Sequence, residues 1–278
     1  MNSGIENTQH PSIIYYDSDY PSEKYSKYKN NFDEIVISQG LSNDVEKYNN
    51  LAKQFGSNVL ELCCGTGRVA IPLAENGNDV TAVDFSSTLL QQFQNKIKQL
   101  NNKISNRLKI INQDVTKLSL EKKDYDLIIC AFNSLLCIPD FELQQKTLIN
   151  AAKHIRTKGL LALDLMNPLV LSIAGDETPI PFFTRKNPHN GNIYTRFAAR
   201  SKMMIDQKQK LYGWYDEIED DGSVKRQNYE VYWRPVFRYE IQLMLEKAGF
   251  KIDKIYGGHL DETYTETSGK LFIQAVKL

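Results

Sequence analysis

The chain has 278 residues, enough for one large α/β domain or a domain carrying an insertion. Its 34 Lys and Arg balance its 34 Asp and Glu, which argues against broad phosphate-backbone binding while leaving room for a local basic groove. No apolar run approaches the ~20 residues that span a bilayer, and Met1 to Pro11 carry no secretory pattern. The expectation is therefore a cytoplasmic protein that is not inserted in a membrane. Cys63, Cys64, Cys130 and Cys137 do not have zinc-ligand spacing and read as small buried residues in a reducing compartment; no metal site is expected.

Residues 1 to about 11 read as disordered. The stretch from Ile13 to Asn50 is rich in tyrosine (Tyr15, Tyr16, Tyr20, Tyr25, Tyr28) and reads as short helices. A regular alternation follows. Asn58–Cys63 is a strand, Arg68–Asn76 a helix ended by Gly77, and Asp79–Phe85 a second strand. Ser86, Ser87 or Thr88 caps a helix whose Leu89, Phe93, Ile97 and Leu100 recur at helical spacing. Leu108–Gln113 and the unbroken apolar Tyr125–Phe132 are strands. Asp140–Thr157 is a helix stopped by Gly159, and Leu160–Leu165 is a fifth strand. Such alternation predicts a parallel sheet covered on both faces, with ligands at the carboxyl ends of its strands.

The rhythm breaks after Asn167. Ile193–Ile205, Lys210–Ile218 and Val224–Trp233 read as extended, with a hairpin at Asp221-Gly222. This predicts an antiparallel insertion on top of the sheet. Pro235 opens a helix ending near Gly249, and Phe250–Tyr256 and Lys270–Lys277 are the last strands. The domain reading is residues 1–48 as a tyrosine-rich lid, 49–178 with 235–278 as the Rossmann-like core, and 179–234 as the insertion.

The central motif is Glu61-Leu62-Cys63-Cys64-Gly65-Thr66-Gly67-Arg68, a strand running into a glycine-rich turn and a helix. Gly65 to Ala70 also fits the dinucleotide fingerprint, with Asp84 as the ribose acid. Three details separate a nicotinamide cofactor from a sulfonium one. Glu61 would repel a pyrophosphate but suits an amino group. About 57 residues precede the first strand, where dinucleotide folds often begin. Asp114 offers a second acid that could accept from an adenine amino group.

On these motifs the chain resembles the class I S-adenosylmethionine-dependent methyltransferases, from about Asn49 to Leu278. Glu61, Gly65 and Gly67 are in register with the family's D/E-x-G-x-G-x-G motif; Cys63 replaces its first glycine. The resemblance implies a seven-stranded, mostly parallel sheet whose antiparallel last strand, Lys270–Lys277, lies between strands five and six. It implies S-adenosylmethionine as cofactor, held by the turn from Cys63 through Thr66 to Arg68, by Asp84 with Phe85 beside the adenine, and by Asp114 and Val115. Ala131-Phe132-Asn133-Ser134 falls at the fourth motif, which faces the methyl group, and Lys158 to Asp164 resembles the stretch entering the fifth strand. In similar enzymes the segment holding Tyr16 folds over the cofactor.

The segment after the fourth strand, Asn133-Ser134-Leu135-Leu136, lacks the N/D-P-P-Y/F pattern of nucleic-acid amino methyltransferases. The insertion resembles that of small-molecule N- and O-methyltransferases, including enzymes acting on amino sugars and glycine. The expected reaction is thus in-line methyl transfer to a nitrogen or oxygen of a small molecule. His259 is the candidate base. Asn133 and Asn167 are candidates to orient the acceptor, and Trp214, Tyr232 and Arg234 to line its pocket, with Arg234 weighed against a plain salt bridge. Competing readings are an RNA or protein methyltransferase, a nicotinamide-dependent oxidoreductase and a non-enzymatic cofactor-binding protein. The hairpin strands are compatible with a homodimer.

Overall fold

The computed structural model describes residues 10–21 and 43–278. Tyr25, Tyr28 and residues 1–9 of the stretch expected to be disordered lie outside the described residues; Pro11, at the end of that stretch, is instead buried at the start of a helix. The chain divides into two compact units, one containing Leu171–Trp233 with residues 10–21, the other Asn43–Val170 with Arg234–Leu278. No described helix is long and apolar enough to cross a membrane.

In the second unit seven strands form one sheet: β1 (Asn58–Leu62), β2 (Asp79–Asp84), β3 (Leu108–Asn112), β4 (Tyr125–Cys130), β5 (Ile155–Met166), β10 (Phe250–Tyr256) and β11 (Lys270–Lys277). Their order is β10-β11-β5-β4-β1-β2-β3, with β11 antiparallel to both of its neighbours. Sheet and strand positions agree with the expected fold, including the inserted last strand. Leu127, Ile128 and Ile129 are fully buried, as expected for a central strand covered on both faces. Strand order reverses between β1 and β4, so the ligand crevice of such a sheet lies at their carboxyl ends. The helices of this unit are, in chain order among the described residues, α3 (Asp44–Phe55), α4 (Ala70–Glu75), α5 (Ser87–Ile97), α6 (Asn102–Ser105), α7 (Phe141–His154) and α8 (Arg238–Ala248).

Local signals explain most boundaries. Ser86 caps α5 by accepting from Leu89 N–H, and Asp140 caps α7 by accepting from Leu143 N–H. Gly249 ends α8 in the left-handed conformation, φ 85°. Several boundaries need correction. The strand from Ile193 stops at Arg200, not Ile205, and the helix after Pro235 begins at Arg238. The helix from Arg68 starts only at Ala70, because residues 65–69 belong to the turn. Helix α7 ends at His154, not Thr157, and β5 runs from Ile155, not Leu160. The His154 side chain explains the early stop: it is buried, bonded through Nδ1 to the Asn150 carbonyl, and its Nε2 accepts from Leu120 N–H. Gly159 lies inside β5 after a left-handed Lys158, where the pairing with β4 shifts register.

The first unit holds helices α1 (Pro11–Ile14) and α2 (Tyr16–Asp19) and a four-stranded antiparallel sheet, β6 (Asp176–Lys186), β7 (Ile193–Arg200), β8 (Gln209–Ile218) and β9 (Val224–Trp233), in chain order. Strand β6 is an addition to the sequence reading. It is an edge strand carrying Pro179 and Pro181, which obscure a strand pattern. One face of this sheet buries Tyr15, Tyr194, Tyr215 and Tyr229. Tyr15 stacks on Tyr215 with centroids 4.5 Å apart. The hydroxyls are not left dry. Tyr194 and Tyr215 donate to the two oxygens of buried Asp19, Arg196 pairs with the same carboxylate at 3.1 Å, and Tyr15 donates to Glu217. Asp19→Ala removes the acceptor of two hydroxyls and the counter-charge of Arg196. A urea titration should show a loss of about 3–5 kcal/mol, the range for a broken buried ion pair.

Candidate active site

The turn after β1 is built by backbone conformation first. Cys63, Gly65 and Gly67 all have positive φ, at 58°, 55° and 82°. Cys63, standing where the family pattern has glycine, therefore adopts a backbone that a side chain disfavours. At Gly67 a Cβ would lie 2.3 Å from the Phe93 ring, so this position has no room for one. Two bonds tie the turn to β2: Cys64 N–H donates to the Val83 carbonyl, and Gly65 N–H donates to Asp84 Oδ2 at 2.9 Å. Asp84 Oδ1 accepts from Ser86 N–H at 2.9 Å. Burial raises the Asp84 pKa, and these amide bonds oppose the rise. Each of its oxygens accepts one of these amides, and a carboxylate oxygen has room for a second donor. Phe85 beside it is 39% exposed, and Asp114 caps the short helix after β3 through Thr116 N–H. Val115 and Thr66 are buried.

Glu61 is buried on β1, one residue before its end, and its Oε2 has no hydrogen-bond partner among the described residues. Burial pushes its carboxyl up to about 8; Arg68 opposes the rise and Asp84 and Asp44 add to it. Arg68 is itself held by Asp44 of α3, with contacts of 3.1 and 2.5 Å, and lies over the Phe132 ring at 5.7 Å.

The tip of β4 is the second strained point. Phe132 and Asn133 are both left-handed, with φ 46° and 64°. Ala131 before them is buried. Asn133 Oδ1 is buried without a partner. Both backbone amides are pinned by one residue of β5: Asn133 N–H donates to the Asp164 carbonyl at 2.8 Å, and Phe132 N–H to Asp164 Oδ2 at 3.2 Å. The Asp164 carboxylate is fully buried. His259 Nε2 lies 3.1 Å from Oδ2, the Tyr48 hydroxyl 3.4 Å from Oδ2, and Lys270 Nζ 2.9 Å from Oδ1. Burial alone would raise this carboxyl; Lys270 and His259 outweigh it and hold it below the usual carboxylate range. Asp164, Lys270 and Tyr48 were not among the residues singled out from sequence. The available signal was an acid interrupting the apolar run Leu160–Met166.

Asn167 and Arg234 are engaged by other side chains and by backbone groups. Asn167 is fully buried, but its amide donates to the carbonyls of Thr265, Glu266 and Ser268, and its oxygen accepts from Tyr264 and Leu169. It braces the loop before β11, and its polar atoms are not offered to an acceptor. Arg234 is engaged by Glu240 at 2.5 Å and Gln144 at 2.9 Å, the salt-bridge alternative. Tyr16, Trp214 and Tyr232 belong to the first unit. Tyr16 meets Tyr20 edge-on; Trp214 stacks on Phe197 at 5.0 Å and donates to Asp216; Tyr232 is 38% exposed. Cys64 and Cys130 are buried as expected, Cys63 is partly buried, and Cys137 is exposed.

Residues 59–159 match the family model described as a methyltransferase domain. Residues 59–159 are therefore a methyltransferase domain, and the sheet around them has the class I fold of S-adenosylmethionine-dependent methyltransferases. The chain is 23% identical over 219 residues to the putative methyltransferase YqeM of Bacillus subtilis, covering 79% of this chain and 83% of that one. Its fold is similar to the CcbJ methyltransferase of Streptomyces caelestis, with a TM-score of 0.70, 20% identity, and coverage of 84% and 90% of the two chains. It is also similar to S-adenosylmethionine-bound CalS10, an amino pentose methyltransferase of Micromonospora echinaspora, at a TM-score of 0.66, 14% identity, and 89% and 96% coverage. The residues present fit this methyltransferase cofactor. The unpartnered buried Glu61 oxygen suits its amino group.

The raised Glu61 pKa has a consequence for the cofactor-free enzyme. The folded state keeps this proton longer than the unfolded chain does, so stability is lost as pH rises from about 4.5 to about 8. Glu61→Gln should flatten that slope and be more stable than wild type at pH 8, by at least about 1 kcal/mol, in urea titrations across the window. Lys270→Met leaves Asp164 without its ammonium partner. It should destabilise the protein by about 3–5 kcal/mol at neutral pH, and by less at a pH low enough to protonate Asp164.

Proposed function

We propose that this methyltransferase acts on a nitrogen, or an oxygen, of a small-molecule acceptor. The observation that carries this reading is a pair of buried, unpartnered acceptor oxygens, Glu61 Oε2 and Asn133 Oδ1, at the carboxyl ends of adjacent strands β1 and β4. Two dry acceptors at a ligand crevice call for two donors from bound molecules. Glu61 takes the amino group of the cofactor, Asp84 its ribose hydroxyls, and Asp114 its adenine amino group. Asn133 takes an N–H or O–H of the acceptor and so orients its lone pair. The bound cofactor supplies a methyl group already activated by a positive sulfur. The chain's main task is therefore alignment and exclusion of water.

His259 receives the acceptor's proton. Its Nε2 faces Asp164, so Nδ1 is the nitrogen it presents. Asp164 is a positioning residue: it orients that ring and fixes the amides of Phe132 and Asn133. The likeness to an amino pentose methyltransferase supports nitrogen as the accepting atom and a polar small molecule as its carrier. The neutral charge balance supports the same class over RNA.

The test supplies S-adenosylmethionine with a labelled methyl group and a cell extract separated by mass. Label should enter low-mass amines or alcohols. Label confined to RNA or protein would overturn the reading. His259→Gln should lower kcat by about 10²-fold while calorimetric binding of S-adenosylhomocysteine stays unchanged; Asp84→Ala should weaken that binding at least about tenfold.

A further inference from the structure

Arg185, on β6 in the first unit, is buried and incompletely used. Its Nη1 donates to the carbonyls of Ser18 and Asp19, the latter at 2.7 Å. The Phe183 ring lies 3.7 Å from the guanidinium carbon. These contacts fix the plane of the group. Its Nε and Nη2 are buried with no hydrogen-bond partner among the described residues. A guanidinium has five N–H donors, and these two nitrogens carry three of them. They form the side-on edge, which takes two oxygens of a carboxylate or phosphate in parallel.

Nearby acids are committed elsewhere. Asp19 accepts from Tyr194, Tyr215 and Arg196, so Arg196 answers its charge. Glu217 accepts from Tyr15, Asn187 and Asn190. The hydroxyls of Tyr15, Tyr194, Tyr215 and Tyr229 all have partners as well. In a network so fully satisfied, one unused guanidinium edge is a vacancy in the bonding pattern, and its complement is an oxyanion. Burial lowers the Arg185 pKa and Asp19 opposes that fall, as expected for a cation lacking a directly bonded carboxylate.

The geometry points to an oxyanion-binding site on the Nε–Nη2 edge of Arg185, for the carboxylate or phosphate group of a small molecule. The anion site does not depend on the function proposed above, and it is tested without methyl transfer.

The test follows the Arg185 Nε–H signal by NMR in full-length protein carrying ¹⁵N-arginine, assigned by its absence in Arg185→Lys. Inorganic phosphate and acetate are titrated separately at constant ionic strength, with chloride as control. The expected result is a saturable shift with phosphate, acetate or both and none with chloride; the more effective anion names the group. In Arg185→Lys, which keeps the charge but not the two-pronged edge, shifts of neighbouring arginine signals should need at least tenfold more anion. An unmoved Arg185 signal, or equal anion response in the variant, overturns the proposal. Calorimetry with S-adenosylhomocysteine on both proteins separates the two readings. Intact cofactor binding without an anion response rejects this site and leaves the methyltransferase function standing.

Discussion

A dry carboxylate in a sheet interior must be answered by charge, and in this methyltransferase Asp164 is answered from several segments at once. Lys270 comes from β11, His259 from the loop before it, Tyr48 from α3, and the amide of Phe132 from the tip of β4. Desolvating Asp164 would be costly alone, and the attraction of Lys270 and His259 exceeds that cost. The penalty for breaking such a set is large because each removal leaves a buried charge unmatched. Hence the antiparallel last strand, the candidate base and the turn after β4 are held in one arrangement by one side chain.

That constraint permits the strain around it. Phe132 and Asn133 are consecutive non-glycine residues in the left-handed region, and the Asp164 carbonyl and carboxylate hold both amides there. Across the switch point, Cys63 is similarly disfavoured, with Cys64 and Gly65 tied to β2. The two strained turns lie beside the two unpartnered acceptors, Asn133 and Glu61. Strain and unmet hydrogen bonds both lower the stability of the empty site. A ligand that supplies donors there recovers part of that loss on binding, which is how a site can be preformed yet still bind.

The sequence made legible what depends on local pattern. The parallel strands, the caps Ser86 and Asp140, the hairpin at Asp221-Gly222 and the glycine turn follow from periodicity and backbone chemistry. Glu61 was legible because a carboxylate beside that turn discriminates between cofactor classes. The Asp164 network was not, because its members come from positions 48, 132, 164, 259 and 270, and only the folded sheet brings them together. Boundary errors have the same origin. Glycine at 159 looks like a helix stop, but α7 ends earlier, at His154, whose ring is tied to the Leu120 amide. Asn167 and Arg234 look available in sequence and are consumed by partners distant along the chain.

The tyrosine-rich first unit carries the argument a step further. An interior of phenylalanines would bury similar area without needing acids. Here Tyr15, Tyr194 and Tyr215 bring hydroxyls that must be bonded, and Asp19 and Glu217 satisfy them at the cost of burying two charges. Arg196 answers Asp19, whereas Asn187 and Asn190 answer Glu217 with dipoles. Each added polar group thus demands another, until the chain ends at Arg185 with donors unspent. A fold stabilised for area alone has no reason to build such a series. A buried network instead fixes the position of each of its polar groups, the unspent edge of Arg185 included.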